Sequence, residues 1–393
     1  HFSEAWVLAW NGSMWIMAGA GSSYGSRYVG YSFDGIFWYI DTQNTDPSGV
    51  NVSFGEINRI AWNGTMWVAV GKDNNILSYS YDGKIWKNDI VVVTSHTTSI
   101  VKFDRGYGIA WNGSIWVAAG TVLDNPGSNI ALFYSRDGIR WHYSRDYKYK
   151  NILNGNVRGL AFNSLRPHNI TFPKHLTVVV GKGNYTIAYS SDCMNWYQVE
   201  NSYTNIFTQG NGVAWNGTRW VAVGEGTNTR AYSSNGQNWI GLGNNIFSTS
   251  GRGVAWNGTR WVAAGQGSNT IAYSDDGITW IGLENNIFST SGYGVAWNGS
   301  KWVAMGSGTT NTIAHSDDGI TWTGLGNSIF STSGNDVAWN GNKWVAVGTG
   351  TNTIAYSSDI SYTWYGVTNS NNIFSEGHGV AGNSRIGPVV VDS

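Results

Sequence analysis

Apolar residues in this chain come in runs of four or five, broken by Gly, Asn, Asp, Ser and Thr, and the runs recur. The copy at 253–291 shows the order. Gly253-Val254-Ala255-Trp256 leads into Asn257-Gly258, then Arg260-Trp261-Val262-Ala263-Ala264 and a Gly-rich loop at 265–269. Thr270-Ile271-Ala272-Tyr273-Ser274 follows, then the turn Asp275-Asp276-Gly277, Ile278-Thr279-Trp280-Ile281, and an exit at 284–291 that walks to the next copy. Each run is strand-length, and β-branched and aromatic residues fill it, so each copy predicts four strands. Asn257-Gly258 predicts a type I′ hairpin, whose two central residues both take φ > 0. The runs are apolar on both faces instead of alternating, as suits a sheet packed between two neighbours.

The Trp of the first run recurs at Trp10, Trp62, Trp111, Trp215, Trp256, Trp297 and Trp339, with Phe162 standing in for the fourth. The last of these are 41 or 42 residues apart, and the earlier copies carry insertions. A period in the low forties without a helix is the length of one propeller blade. The fold predicted is therefore all-β, a single β-propeller of four-stranded blades. Its units fall at about 4–57, 58–106, 107–156, 157–210, 211–251, 252–292, 293–334 and 335–377. A partial ninth hairpin at 378–393, with Val389-Val390-Val391 as its second strand, is surplus to eight blades. That surplus could cap an edge or add strands to a neighbouring copy, which makes the chain itself an expected partner. The small Ala and Gly suit the crowded axis, and the Trp rings suit the wedge between blades, where each buries about 150–250 Å².

Composition narrows the function. Only 12% of residues are charged and the net charge is −1, which excludes the basic footprint of a nucleic-acid binder and gives no electrostatic grip on a membrane. No apolar run is long enough for a membrane-spanning helix, so no membrane insertion is expected. One cysteine, Cys193, excludes an internal disulfide. The seven His show no metal-ligand spacing, and no calcium loop occurs, so no metal or cofactor is expected. His142 to Lys150 is the one basic cluster, read as a solvated rim or a local binding edge.

Up-and-down topology puts the Asn-Gly hairpins and Asp-Gly turns on one face, and the Gly-rich loops and exits on the other. Asn-Gly-Ser/Thr at Asn11, Asn63, Asn112, Asn216, Asn257 and Asn298 reads both as a turn and as an N-glycosylation sequon. Asn51, Asn169 and Asn184 also fit the sequon. The other face repeats Asn228, Asn269, Asn311 and Asn352 near Phe247, Phe288, Phe330 and Phe374. These residues either satisfy loop backbone and plug gaps between blades, or form one shallow sugar pocket per blade, binding glycans by avidity.

The third-to-fourth strand turn repeats as Tyr-Ser-x-Asp-Gly-x-x-Trp, with the turn aspartates Asp34, Asp82, Asp137, Asp192, Asp276, Asp318 and Asp359. Cys193 replaces the Gly once and Asn235 the Asp once. This turn resembles the Asp-box of sialidase-like, BNR-type propellers, Ser-x-Asp-x-Gly-x-Thr-Trp. With the Trp aligned, and leaving aside Tyr356 to Trp364, which carries one inserted residue, the family's Asp falls on a position met by Asp275 and Asp317 only. The resemblance implies a propeller in which this turn is a folding staple, remote from any active site. It extends to repeat proteins of extracellular, phage and giant-virus origin, and so implies an extracellular, cell-surface or virion-surface setting.

Sialidases of that family need an arginine triad, a Tyr–Glu nucleophile pair and an acid Asp on loops that break the repeat. Arg219 and Arg260 instead sit at equivalent repeat positions beside hairpins, and no carboxylate pair is placed as acid and nucleophile. The expectation is a non-catalytic structural or interaction propeller, with self-assembly into filaments or arrays through its terminal strands. A multivalent lectin is the alternative, and a sialidase-like hydrolase ranks below it.

Overall fold

In the sixth unit Trp256 pairs with Trp261, so the hairpin loop holds four residues, 257–260, and not the two of a type I′ turn. The second strand accordingly starts at Trp261 and not at Arg260. Only Gly258 takes a positive φ, 105°. Asn257 works through its side chain: Oδ1 accepts the backbone N–H groups of Thr259 and Arg260 at 2.9 and 2.6 Å, and the Thr259 hydroxyl at 3.1 Å. The same acceptor geometry stands at Asn11, Asn63, Asn112, Asn216 and Asn298. It stands also at Asn340, where no sequon exists, so the turn alone accounts for the Asn. Asn257→Ala is expected to cost about 1–2 kcal/mol, since two backbone donors lose their acceptor. Asn257→Asp keeps the acceptor and should cost less; urea unfolding of both variants checks the order.

The computed structural model describes residues 2–21, 27–41, 56–72, 77–88, 90–93, 103–122, 130–143, 157–162, 176–358 and 362–381. Within a unit the strands pair antiparallel in chain order, as Ser250–Trp256, Trp261–Gln266, Ile271–Ser274 and Ile281–Gly282 do. The first strand starts two residues ahead of the boundary read from the repeat, because Ser250 pairs both with Gln266 and with Glu225 of the preceding unit. The fourth strand is only two residues long in the fourth to seventh units, which leaves little edge for another chain to pair with. The second unit departs from the plan. Its fourth-strand place is a single bridge, Tyr79 to Lys87, and its exit strand Val91–Val93 joins the third unit's sheet, parallel to Arg140–Tyr143. The exits of the fourth and eighth units hold short helical turns, Ser202–Ile206 and Ser370–Asn372.

Units pack through their middles. Phe247, Phe288, Phe330 and Phe374 are fully buried, each in a cluster shared by two adjacent units. The glycine one residue before the end of the second strand makes room: a Cβ on Gly265 would lie 2.5 Å from the Phe247 ring. The last unit packs on the first, with Ala5, Leu8, Trp15 and Met17 against Val345, Val347, Ile354 and Phe374. At this seam the ninth-unit strand Val380–Ala381 lies parallel to Phe2–Trp10, opposite Leu8 and Ala9. Asp336 stands where sister units carry Gly253 and Gly294, and its Oδ2 accepts the Val380 N–H at 2.8 Å. The first strand of the surplus hairpin is thus held in its own ring; residues 382–393 lie outside the described residues.

Candidate functional site

Every first strand carries one residue too many for its partner. In the sixth unit Gly251 faces Gly265 and Gly253 faces Ala264, so Arg252 is bulged out. The same register step bulges Trp6, Asn58, Tyr107, Arg158, Asn211 and Asn335, and in the seventh unit the step spans Tyr293 and Gly294. His378 holds the equivalent place in the ninth strand. Bulges re-aim side chains and recur beside binding sites. Here they send one residue per unit toward the middle of the ring. Six of them, Arg158, Asn211, Arg252, Tyr293, Asn335 and His378, line one cavity of about 240 Å³ with Ser333 and Glu376.

The bulged residues divide by chemistry. Asn58, Asn211 and Asn335 each donate through Nδ2 to a glycine carbonyl on the next first strand, Gly106, Gly251 and Gly377, at 2.7, 2.9 and 2.8 Å. They tie inner strands together. The arginines do not. Arg252 donates to Gln266 Oε1 at 3.0 Å and lies over the Tyr293 ring, 5.1 Å from its centroid. Its Nε, like that of Arg158, is buried without an acceptor. Among the described residues neither guanidinium meets a carboxylate. Glu376 faces His378 at 3.9 Å, and His378 in turn meets Trp6, ring centroids 5.8 Å apart. The repeat offered a signal for this site: in units otherwise near-identical, the residue before Gly-Val-Ala-Trp changes from Asn211 to Arg252 to Tyr293.

The residues singled out on sequence lie elsewhere. On the face of the exits, Asn228, Asn269, Asn311 and Asn352 donate to main-chain carbonyls of the preceding exit, as Asn269 Nδ2 does to Ile246 at 2.7 Å. Asn228, Asn269 and Asn311 also accept a main-chain N–H through Oδ1. With the four Phe rings fully buried, these groups are occupied inside the fold. Of the remaining sequon residues, Asn184 is exposed on a turn, and Asn51 and Asn169 lie outside the described residues.

The turn aspartates act within their turns. Asp276 Oδ1 accepts the Ile278 and Thr279 N–H groups and the Ser274 hydroxyl, and Asp34, Asp82, Asp137, Asp192 and Asp318 repeat the pattern. Asp359 lies outside the described residues. Asp275 and Asp317, at the resembling family's Asp position, instead pair with Arg260 at 2.7 Å and Lys301 at 3.2 Å. Arg219 and Arg260 do more than edge the hairpins. Each lies over the Tyr of its own unit's turn and donates to the main chain of the next unit's turn, at Asp276 and Asp318. Cys193 is buried against Thr177, and burial pushes its thiol up to about 11, which makes it a packing residue and not a nucleophile.

No family model matches the sequence, and no curated protein matches it. Among solved structures, the Dos1 propeller aligns with a TM-score of 0.57 at 8% identity, over 88% of this chain and 89% of that one. The computationally designed Ika8 protein aligns at 0.55 and 11% identity, over 91% of this chain and 97% of that one. At such identities these likenesses speak for the fold, an all-β propeller built of repeats.

Proposed function

We propose that this propeller is a non-catalytic interaction protein whose partner meets the mouth of the axial cavity. One observation carries the reading. Across near-uniform units, the bulged position lining the cavity takes different chemistries, while the strands on either side keep theirs. Packing alone gives no reason for that variation; a ligand does. The lining offers cations, an aromatic ring, amides and one carboxylate, a set suited to recognition. Panning a displayed peptide library against the full chain tests the reading. Peptides enriched on the wild type should lose binding to Arg252→Trp, which fills the mouth, while its melting temperature stays unchanged. Enriched peptides that bind Arg252→Trp as well as the wild type would overturn it.

The second reading is self-assembly through terminal strands, in filaments or arrays at a cell or virion surface. The seam favours it, because the strand of a neighbouring copy would find the same partners along Phe2–Trp10 as Val380–Ala381 does. A chain that stays monomeric at millimolar concentration removes this reading. Glycan binding on the face of the exits would fall to exposed hydroxyls such as Ser268, since Asn269 and Phe288 are engaged inside.

A further inference from the structure

We infer that the axial cavity takes a single carboxylate, gripped by Arg158 and Arg252, with Tyr293 supporting the group that bears it. The inference rests on the reading of the cavity as the partner-facing site.

Three observations carry it. The first is unmet charge. Three other partly or fully buried arginines have acceptors: Arg260 has Asp275 and a carbonyl, Arg59 has two carbonyls, and the fully buried Arg230 has the Leu242 carbonyl and Asn245 Oδ1, while Arg136 and Arg140 are exposed to solvent. Arg158 makes no hydrogen bond among the described residues, and Arg252 has one, to a neutral amide. Both are half-buried, with a buried Nε lacking an acceptor. Half-buried guanidinium groups are normally paired, and the planar fork matches a carboxylate.

The second observation is convergence. The two arginines come from units four and six, flanking Asn211, and both are bulged residues lining one cavity. The Asn211 amide is already spent on Gly251 and on Glu225 Oε1, so the arginines hold the free donor capacity on that side. Tyr293, already under the Arg252 guanidinium, closes the next place round the ring.

The third is size and charge limit. At about 240 Å³ the cavity is smaller than the roughly 300–1,000 Å³ of common ligand pockets. It admits a small acid or one chain end, not a folded segment. Glu376 in the same lining opposes a doubly charged phosphate more than a singly charged carboxylate.

Titration calorimetry on the full chain with three probes tests this: triglycine with a free carboxylate and blocked amine, the same peptide as its C-terminal amide, and N-acetylglycine. The acid should bind, and the amide should be weaker by at least about tenfold. Arg158→Gln and Arg252→Gln should each weaken the acid by about tenfold or more, Arg260→Gln should not, and rising salt should weaken the acid alone. Thermal melts of the variants confirm folding, and the acid–amide contrast needs no variant. Equal binding of N-acetylglycine and the peptide acid supports a free small acid as the source; binding of the peptide acid alone supports a chain terminus. Acid and amide binding alike, with both lost in Arg252→Trp, would overturn the carboxylate and leave the cavity as a partner site. Absence of binding by all three probes at millimolar concentration, or acid binding unchanged in both Gln variants, would also overturn it.

Discussion

Trp261→Ala is expected to destabilise the chain by about 3–5 kcal/mol, the range for emptying a buried aromatic site, while Trp256→Ala costs clearly less. The two rings face each other across one hairpin, centroids 5.0 Å apart, yet their surroundings differ. Trp261 is fully buried with Phe247, Val254 and Trp280. Its indole nitrogen reaches the Asp-Gly turn, where a Cβ on Gly277 would stand 3.0 Å away. Trp256 is half-buried at the border of the same cluster. Removing Trp261 leaves a void between two units and unseats the turn behind it. Trp15, Trp67, Trp116, Trp220 and Trp302 hold the same place, so the loss should recur wherever this position is emptied. Urea midpoints of the two variants check the ranking. Equal losses would mean that the cross-strand pair itself, and not the inter-unit wedge, carries the stability.

The order of strands, the repeat and the role of the turn were legible because each depends on residues close in sequence. Asp-Gly turns and strand composition are local matters, and Gly277 takes the positive φ, 74°, that such a turn asks for. What stayed hidden depends on two strands at once. A bulge is a mismatch of register, so nothing in Gly251-Arg252-Gly253 alone marks Arg252 as the extra residue; Gly265-Ala264 opposite does. The four-residue hairpin loop is hidden in the sequence for a related reason. Asn-Gly is a strong signal for φ > 0 at two residues, but the Thr or Ser that follows lets Asn serve through its side chain in a longer loop. The reach of Arg219 and Arg260 to the next unit, and the use of Asp336 at the seam, likewise need the ring closed before they can be seen.

Stability should hold steady from neutral pH down to about pH 5 and fall below about pH 4, chiefly through the turn carboxylates. Burial on its own raises the pKa of Asp34, Asp82, Asp137, Asp192, Asp276 and Asp318; two backbone N–H groups and a Ser hydroxyl outweigh it in each turn and hold the carboxyl below the ordinary 3.8. A carboxyl depressed in the fold contributes stability above its unfolded pKa. That contribution is lost as pH falls through the folded value, because protonation then costs more in the native state than in the open chain. Four of the sites are exposed and Asp34 and Asp192 are half-buried, so each share is small; six of them titrating together make the acid limb steep. The fifth unit already contains the control. Asn235 accepts the Gln237 and Asn238 N–H groups at 2.9 Å each, the same turn without a charge. A chain with Asn at all six Asp positions should therefore fold, be slightly less stable at pH 7, and lose most of its acid sensitivity. Urea midpoints from pH 2 to 8 decide it. An acid limb unchanged in the sixfold variant would move the cause to other carboxylates, with Asp336 at the seam the next to replace, since its Oδ2 takes the Val380 N–H that holds the last strand to the ring.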